Sequence, residues 1–376
     1  MLPIQKAINL NLLAFFGGDC QIINNHRDLL ELNPSNGGLG IASVSKESSR
    51  QYMASKKITE NHVNSIIHQN RFMIETNSDG KSSDELRAET RNQLRKEKLE
   101  QITTIHNKLT GDTKNYVKQA CDKGASSWLT TLPLKDQNLD LNKAEFTDAL
   151  RMRYNETLND LPSFCPCGKT FDMKHAMNCK KGGFVSGRHD NIRDLLTVCL
   201  DKVCCDVEAE PHLTKVTNER FKLKSANVSD EARLDIKARG FWRKGETAFF
   251  DVRVTHVNSN SSKNLSTSEM FHRHEQSKKR EYLERVLEVE HASFTPLVFG
   301  TNGGVGEECS KFLKNLSRKL SLKNDENYSD VLCWLRTRLS MEITRSSLLC
   351  LRGSRTPFRG CNADDIGLQN VCSGLV

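Results

Sequence analysis

Apolar residues recur every three or four positions over much of the chain, which is the spacing of amphipathic helices. The clearest example, residues 188–205, has one apolar stripe: Ile192, Leu195, Leu196, Cys199, Leu200 and Val203. The same spacing predicts that residues 1–160 are mainly helical and that later helices occupy residues 268–291 and 306–320. Segments with strand character lie between these helices, at residues 206–210, 233–237, 251–254 and 294–300. The order helix, strand, strand, strand, helix, strand, helix predicts an α/β layered domain with a mixed sheet.

Two of the strand-like segments carry an Asp in their interiors. In residues 251–254 apolar and charged residues alternate, so Asp251 and Arg253 share one strand face. Asp235 lies on the charged face of the earlier segment. If the two segments pair as a hairpin, both carboxylates and the guanidinium meet on one face, which suits Mg²⁺ coordination beside a cation that contacts phosphate. The alternative is an amphipathic hairpin whose charges are solvated.

The composition is that of a globular protein with a positive net charge. Charged residues make up 27% and hydrophobic residues 37% of the 376, and the net charge of +8 favours a polyanionic partner. No apolar run approaches membrane length, so we expect no membrane partner. The early apolar patch at residues 10–16 is short and lacks a cationic start. We therefore expect an intracellular protein, nuclear or cytoplasmic and not secreted, whose 13 Cys are metal ligands or core residues rather than disulfides.

The densest group of soft ligands lies in residues 165–179. Cys165 and Cys167 are followed after seven residues by His175, and after three more by Cys179. Zn²⁺ prefers a closed tetrahedron of thiolate and imidazole ligands, and a segment this short and polar has little core of its own. We predict a structural zinc knuckle; the alternative is four small core residues gathered by chance. The basic residues around it would suit contact with a phosphate backbone.

The helices beside the predicted sheet offer further polar side chains. Arg188 and His189 lie at the edges of the apolar stripe of their helix, where they can approach a site on the sheet. A His in this position is also commonly a structural residue. In the helix at residues 268–291, Lys279 and Tyr282 are three positions apart, so a cation and a phenol can point together toward the sheet. For Lys278 and Lys279 the alternative is an amine that extends into solvent.

Taken in order, these motifs resemble the C-terminal part of a non-LTR retrotransposon polyprotein, of the group that carries a restriction-like endonuclease. The turn at residues 37–41 is similar to the segment after the polymerase thumb, and the region from Trp128 to Arg151 is similar to the helical linker that follows. The Arg188-His189 pair resembles the pair that opens the family's first nuclease helix. The family's CCHC zinc knuckle is matched by Cys165, Cys167, His175 and Cys179. The similarity covers most of residues 30–320.

The resemblance implies a nuclease core of the PD-(D/E)xK type, in which Asp235 and Asp251 hold catalytic Mg²⁺. The further catalytic residues that it implies are Arg253, Lys279, Tyr282 and His189. Arg253 stands where the family motif has Lys, and because Arg is a poor proton acceptor, Lys279 is the expected source of the amine. The implied activity is nicking of target DNA, whose 3′ end primes reverse transcription of the element RNA. DNA and the element RNA are therefore the expected partners.

The expected architecture is a restriction-endonuclease-like α/β core preceded by a helical region and a small zinc knuckle. The boundaries are residues 1–160 for the helical linker region, 161–184 for the knuckle, 185–325 for the endonuclease, and 326–376 for a short helix and a disordered tail. No polymerase palm precedes these elements, so we expect no polymerase activity. One alternative is an inactive transposon relic that only binds nucleic acid through its knuckle and basic surface. Another is a zinc module that scaffolds protein contacts.

Overall fold

The structure is a computed structural model that describes residues 2–16, 25–69, 81–217, 219–258 and 265–355. The tail that the sequence predicts to be disordered lies outside these residues from position 356 onward. Among the described residues, no helix is long and apolar enough to cross a membrane.

Among the described residues of positions 1–160, the regular elements are helices, as the apolar spacing predicts. Two of the helices begin with capping boxes, in which Ser82 pairs with Glu85 and Asn142 pairs with Glu145, so their first backbone N–H groups are satisfied locally. Two short 3₁₀ turns, at Pro34–Asn36 and Lys135–Gln137, connect the helices. The helices of this region and of the segment that follows it are α1 (Leu2–Phe15), α2 (Arg27–Glu31), α3 (Val44–Ile67), α4 (Ser83–Lys108), α5 (Gly111–Ala120), α6 (Ser127–Thr130), α7 (Lys143–Tyr154) and α8 (Met173–Ala176).

The second half of the chain forms a four-stranded mixed sheet with helices around it. The strands lie side by side in chain order, and the first three pair antiparallel while the third and fourth are parallel. The parallel pair requires a crossover, which a long helix provides. The α/β class and the mixed sheet predicted from the sequence are confirmed. The elements are α9 (Phe184–Asp201), β1 (Cys205–Ala209), β2 (Ile236–Arg239), β3 (Thr247–Thr255), α10 (Thr267–Glu288), β4 (Ser293–Gly300), α11 (Glu307–Asn324) and α12 (Tyr328–Arg352).

The two faces of the sheet are covered by different helices. On one face, Phe250 and Val252 of β3 belong to a buried cluster that also contains apolar residues of α9, α11 and α12. On the other face, Phe249 packs with Tyr282 and Val286 of α10. Side chains alternate along a strand, so Asp251, one residue after Phe250, lies on the α10 face. The result is a three-layer arrangement that buries both faces of β3.

The last helix differs from its prediction. The sequence predicts a short helix after position 325, whereas α12 has 25 residues and is buried along much of its length. Leu335 packs in the cluster beneath the sheet, Leu348 packs with the N-terminal helices, and Leu351 packs with the cysteine-rich segment. Because α12 meets neighbours on several sides, its apolar residues do not form a single stripe, and periodicity alone underestimates the helix.

Candidate active site and metal centre

Two carboxylates lie beside each other where β2 begins. Ile236 pairs with Phe250, and the backbone N–H of Asp235 donates to the carbonyl of the same Phe250 at 3.2 Å. Asp235 therefore lies at the end of the β2–β3 ladder, close enough to Asp251 for its charge to raise the pKa of that carboxyl. Asp235 Oδ2 in turn accepts a hydrogen bond from the backbone N–H of Val252. The structure therefore brings together the two carboxylates that the sequence singled out.

Asp251 is a buried carboxylate with one oxygen left unpaired. Its side chain faces α10, where Lys278 Nζ donates to Oδ1 at 3.1 Å. Its Oδ2 is buried and has no hydrogen-bond partner among the described residues. Burial raises the pKa of Asp251; the Lys278 charge opposes this rise, and the neighbouring Asp235 adds to it. A buried anionic oxygen without a donor is costly, and a bound cation would remove that cost.

The amine beside the carboxylates belongs to Lys278 rather than to the expected Lys279. Lys278 Nζ lies 5.3 Å from the ring centroid of Tyr282, one helical turn further along α10. Lys279 Nζ instead donates to Glu308 Oε1 at 2.9 Å, at the start of α11. Neighbouring residues on a helix point about 100° apart, so only one of the two lysines can reach the sheet. Tyr282 is four positions after Lys278 and three after Lys279, and both spacings place side chains on one helix face, so the sequence does not decide between the two lysines.

His189 of α9 reaches the same site. Its Nε2 lies 3.1 Å from Asp235 Oδ2 and 3.0 Å from the carbonyl oxygen of Val252. The hydrogen bond to Asp235 raises the pKa of His189 to about 9, with further support from Asp190. The imidazole is therefore protonated at neutral pH. Arg188 points away from this site, because its Nη2 donates to the Met177 carbonyl at 3.0 Å.

Arg253 and Tyr282 lie near the carboxylates without contacting them. Arg253 is half-buried on the α10 face of β3, where burial together with the Arg253 charge lowers the pKa of His274 to about 4. The Tyr282 hydroxyl accepts a hydrogen bond from Asn227 Nδ2 at 3.4 Å, and burial raises the pKa of this phenol to about 12. Tyr282 is thus a neutral wall of the site at physiological pH.

The predicted soft ligands form a compact cluster. The ligand atoms of Cys165, Cys167, His175 and Cys179 all lie within 4.8 Å of one another. The two sulfur atoms of Cys165 and Cys179 are 3.7 Å apart, and Cys167 Sγ lies 3.3 Å from His175 Nε2. A tetrahedral ion with Zn–S bonds of ~2.3 Å would separate two sulfur ligands by about 3.8 Å. The cluster could hold a metal ion such as zinc.

Local backbone structure arranges these ligands. The Cys165 N–H donates to Lys169 O and the Gly168 N–H donates to Cys165 O, both at 2.8 Å, which closes a tight turn around Cys167. Gly168 has a φ of +85°, in the left-handed region that favours glycine. Asp172 caps α8 by accepting a hydrogen bond from the His175 N–H at 2.6 Å. The turn and the cap place the two halves of the ligand set within reach of one ion.

No protein-family model matches the chain, and no curated protein matches it either. Sequence reasoning missed Lys278 as the amine at Asp251, and it missed the Val252 carbonyl and Asn227. The carbonyl and the amide have no sequence signal of their own, because their positions depend on how distant segments pack.

Proposed function

We propose that this protein is a metal-dependent DNA endonuclease with a restriction-like core, derived from a non-LTR retrotransposon polyprotein. The observation that carries the proposal is the buried Asp251, which lies near Asp235 and beside the amine of Lys278 and has one oxygen without a partner among the described residues. The arrangement of the sheet adds support, because an antiparallel β1–β2–β3 unit joined through α10 to a parallel β4 is the order expected of such a core.

The oxygen atoms at the site fit a hard divalent cation. Asp251 Oδ2 lacks a partner among the described residues, and the hydrogen bonds from His189 and Val252 to the Asp235 carboxylate both use Oδ2. The Val252 carbonyl oxygen lies 3.0 Å from the same His189 nitrogen that contacts Asp235. Two carboxylates and a carbonyl are ligands that Mg²⁺ accepts. When bound, Mg²⁺ supplies Lewis acidity and a water of lowered pKa.

The side chains around the carboxylates have complementary roles. Lys278 holds Asp251 in place, and its charge stabilises the negative charge that develops on the scissile phosphate. The protonated His189 fixes the orientation of the Asp235 carboxylate. Arg253 binds a phosphate oxygen as a clamp, because a guanidinium is a poor proton acceptor. Tyr282 excludes water from the Lys278 amine by covering it with its ring.

We assign the cysteine and histidine cluster to a structural Zn²⁺. The knuckle it forms packs against Cys350 and Leu351 of α12, so the ion would tie the segment between the helical region and the sheet to the rest of the molecule. Its surface lysines would contact nucleic acid, with the target DNA and the element RNA as the proposed partners.

The proposal is tested by removing Asp251. We expect that Asp251→Ala and the isosteric Asp251→Asn both abolish Mg²⁺-dependent nicking of a supercoiled plasmid, because each removes the ionised ligand. DNA affinity without Mg²⁺ should stay within about threefold of wild type, since phosphate contacts dominate affinity. Asp201→Ala, which removes an exposed carboxylate at the end of α9, is the matched control. Nicking that survives in Asp251→Asn would overturn the assignment.

One observation favours a second candidate, an inactive relic that only binds nucleic acid. The ion pair between Lys278 and Asp251 is mostly buried, with side chains 19% and 7% exposed, and it partly neutralises Asp251 without any metal. A relic would bind DNA in a salt-dependent manner and show no Mg²⁺-dependent nicking in the wild-type protein. The plasmid assay therefore separates the two candidates directly.

A further inference from the structure

The connection between β1 and β2 begins and ends at the candidate active site. The chain leaves the sheet at Glu210 and returns at Asp235, and the Glu210 N–H donates to the Asp235 carbonyl at 2.9 Å. Residues 219–234 of this connection, which we call the strap, contact α10 through Leu223, Ser225 and Asn227. Because both ends of the connection are fixed beside Asp235, the position of the strap relative to the carboxylates is set by the sheet itself.

A buried arginine holds the strap against α10. Arg285 is 0% exposed and donates to the carbonyl oxygens of Asn227 at 2.9 Å and Ser229 at 2.8 Å. A third hydrogen bond, at 2.8 Å, goes to the carbonyl of Thr214, in the segment that leads into the strap. The Asn227 N–H adds a hydrogen bond of 2.8 Å to the Glu281 carbonyl. These contacts order the strap backbone independently of any ligand.

The basic side chains of the strap remain exposed. Arg220, Lys222 and Lys224 are exposed and have no hydrogen bond or ion pair to any described residue. The carboxylate of Glu284 on α10 accepts a hydrogen bond from the backbone N–H of Leu223, between two of these cations in the sequence, at 3.1 Å. That acid therefore binds the strap backbone, and the three cations are left for an external anion.

A chain of contacts links the strap to the carboxylates. Asn227 Nδ2 donates to the Tyr282 hydroxyl at 3.4 Å, the Tyr282 ring lies 5.3 Å from Lys278 Nζ, and Lys278 donates to Asp251 at 3.1 Å. Exposed cations held on a fixed element beside a site suited to phosphate chemistry match the charge of a DNA backbone.

We propose that the strap is a DNA-binding element in which Arg220, Lys222 and Lys224 contact the phosphate backbone of a duplex next to Asp235 and Asp251. The location of this surface rests on the proposed nuclease site, but the binding itself does not require cleavage. Phosphate contacts of this kind release counterions, so they produce affinity that falls steeply with salt.

The test compares two triple variants that remove the same charge. Arg220→Gln, Lys222→Gln and Lys224→Gln are combined in the strap variant. The control variant combines Arg95→Gln, Lys96→Gln and Lys98→Gln, which are equally exposed cations on α4. Affinity for a short fluorescent DNA duplex is measured by anisotropy at several NaCl concentrations, without Mg²⁺, on the full chain.

We expect the strap variant to bind at least about tenfold more weakly than wild type and to lose about three units from the slope of log K against log salt. The control variant should keep its affinity within about threefold and its slope within about one unit. Equal affinities and slopes for the two variants would overturn the inference, whether or not the wild type nicks DNA. If the strap variant loses affinity while the wild-type protein shows no nicking, the result would support the strap as a DNA-binding element and overturn the proposed nuclease activity.

Discussion

At the scale of single residues, two adjacent lysines of α10 point in different directions and have different partners. Lys278 and Lys279 are adjacent and chemically identical, yet Lys278 contacts the buried Asp251 and Lys279 contacts the half-buried Glu308. In the proposed nuclease, the first amine lies where negative charge would develop during phosphodiester cleavage. The second completes an ion pair between α10 and α11. The same substitution made at Lys278 and at Lys279 changes composition, charge and helix propensity equally, so the two variants differ only in the contact that is lost.

We expect Lys278→Met to lower the rate of Mg²⁺-dependent nicking by about 100-fold or more, because it removes a preorganised charge from a buried site. Lys279→Met should change the rate by no more than about threefold, since partly exposed ion pairs contribute little. Single-turnover nicking of a plasmid, with DNA affinity measured in parallel, distinguishes the two. Equal losses of rate in both variants would contradict the assignment of Lys278.

The sequence identifies the two carboxylates because strand alternation is a local property. Asp251 must lie on the face opposite Val252 whatever the rest of the chain does. Asp235 comes close to it once the two segments pair, because it directly precedes the first paired residue of β2. The lysine depends on the rotation of α10 about its own axis, which is set by the packing of Tyr282 and Val286 against Phe249. That packing is a tertiary property, so the sequence alone indicated Lys279, whereas Lys278 contacts Asp251.

At the scale of elements, the predicted zinc ligands lie on two short structures that have little apolar core of their own. A tight turn carries Cys165 and Cys167, and the one-turn helix α8 carries His175. Neither would be stable in isolation, because a single turn of helix has a costly nucleus. Packing of Phe171 and Met177 against α12 supplies part of the missing stability, and an ion bound by the cluster would supply the rest.

We expect purified wild-type protein to contain about one zinc per chain and His175→Ala or Cys167→Ser to contain almost none, because a tetrahedral structural site needs all four ligands. Cys205→Ser is the control for cysteine loss, since Cys205 is exposed at the start of β1 and outside the cluster. Elemental analysis of gel-filtered protein gives the stoichiometry. Zinc loss in Cys205→Ser, or a wild type without zinc, would contradict the assignment.

The order of strands and helices follows from local patterns, but α12 does not. Each strand is short and bounded by turns, so alternation and breakers locate it. Helix α12 passes from the sheet cluster at Leu335 to the N-terminal cluster at Leu348 and the knuckle at Leu351, and each neighbour requires apolar residues on a different side. An apolar pattern that contacts three neighbours has no single period, so the full length of α12 is visible only in the packed structure.

At the scale of the whole molecule, α12 makes the helical region and the sheet parts of one packed unit. Its side chains contribute to the core beneath the sheet and to the core of the N-terminal helices, and Arg352 adds two hydrogen bonds to Asp148 of α7, at 2.7 and 2.8 Å. A helix that is common to two cores couples their unfolding, because neither core can lose it without exposing apolar surface in the other.

We therefore expect Leu335→Ala, made in the sheet-side core, to destabilise the N-terminal core equally, by about 2–5 kcal/mol. Two probes report separately: Trp128 is buried among the N-terminal helices, and Trp242 packs on the sheet-side cluster. In urea unfolding of single-tryptophan proteins, made by replacing the other two tryptophans with Phe, both midpoints should fall together. Leu349→Ala, an α12 residue that is 55% exposed, should shift neither by more than about 0.5 kcal/mol. A shift confined to the Trp242 signal would show that α12 does not couple the two cores.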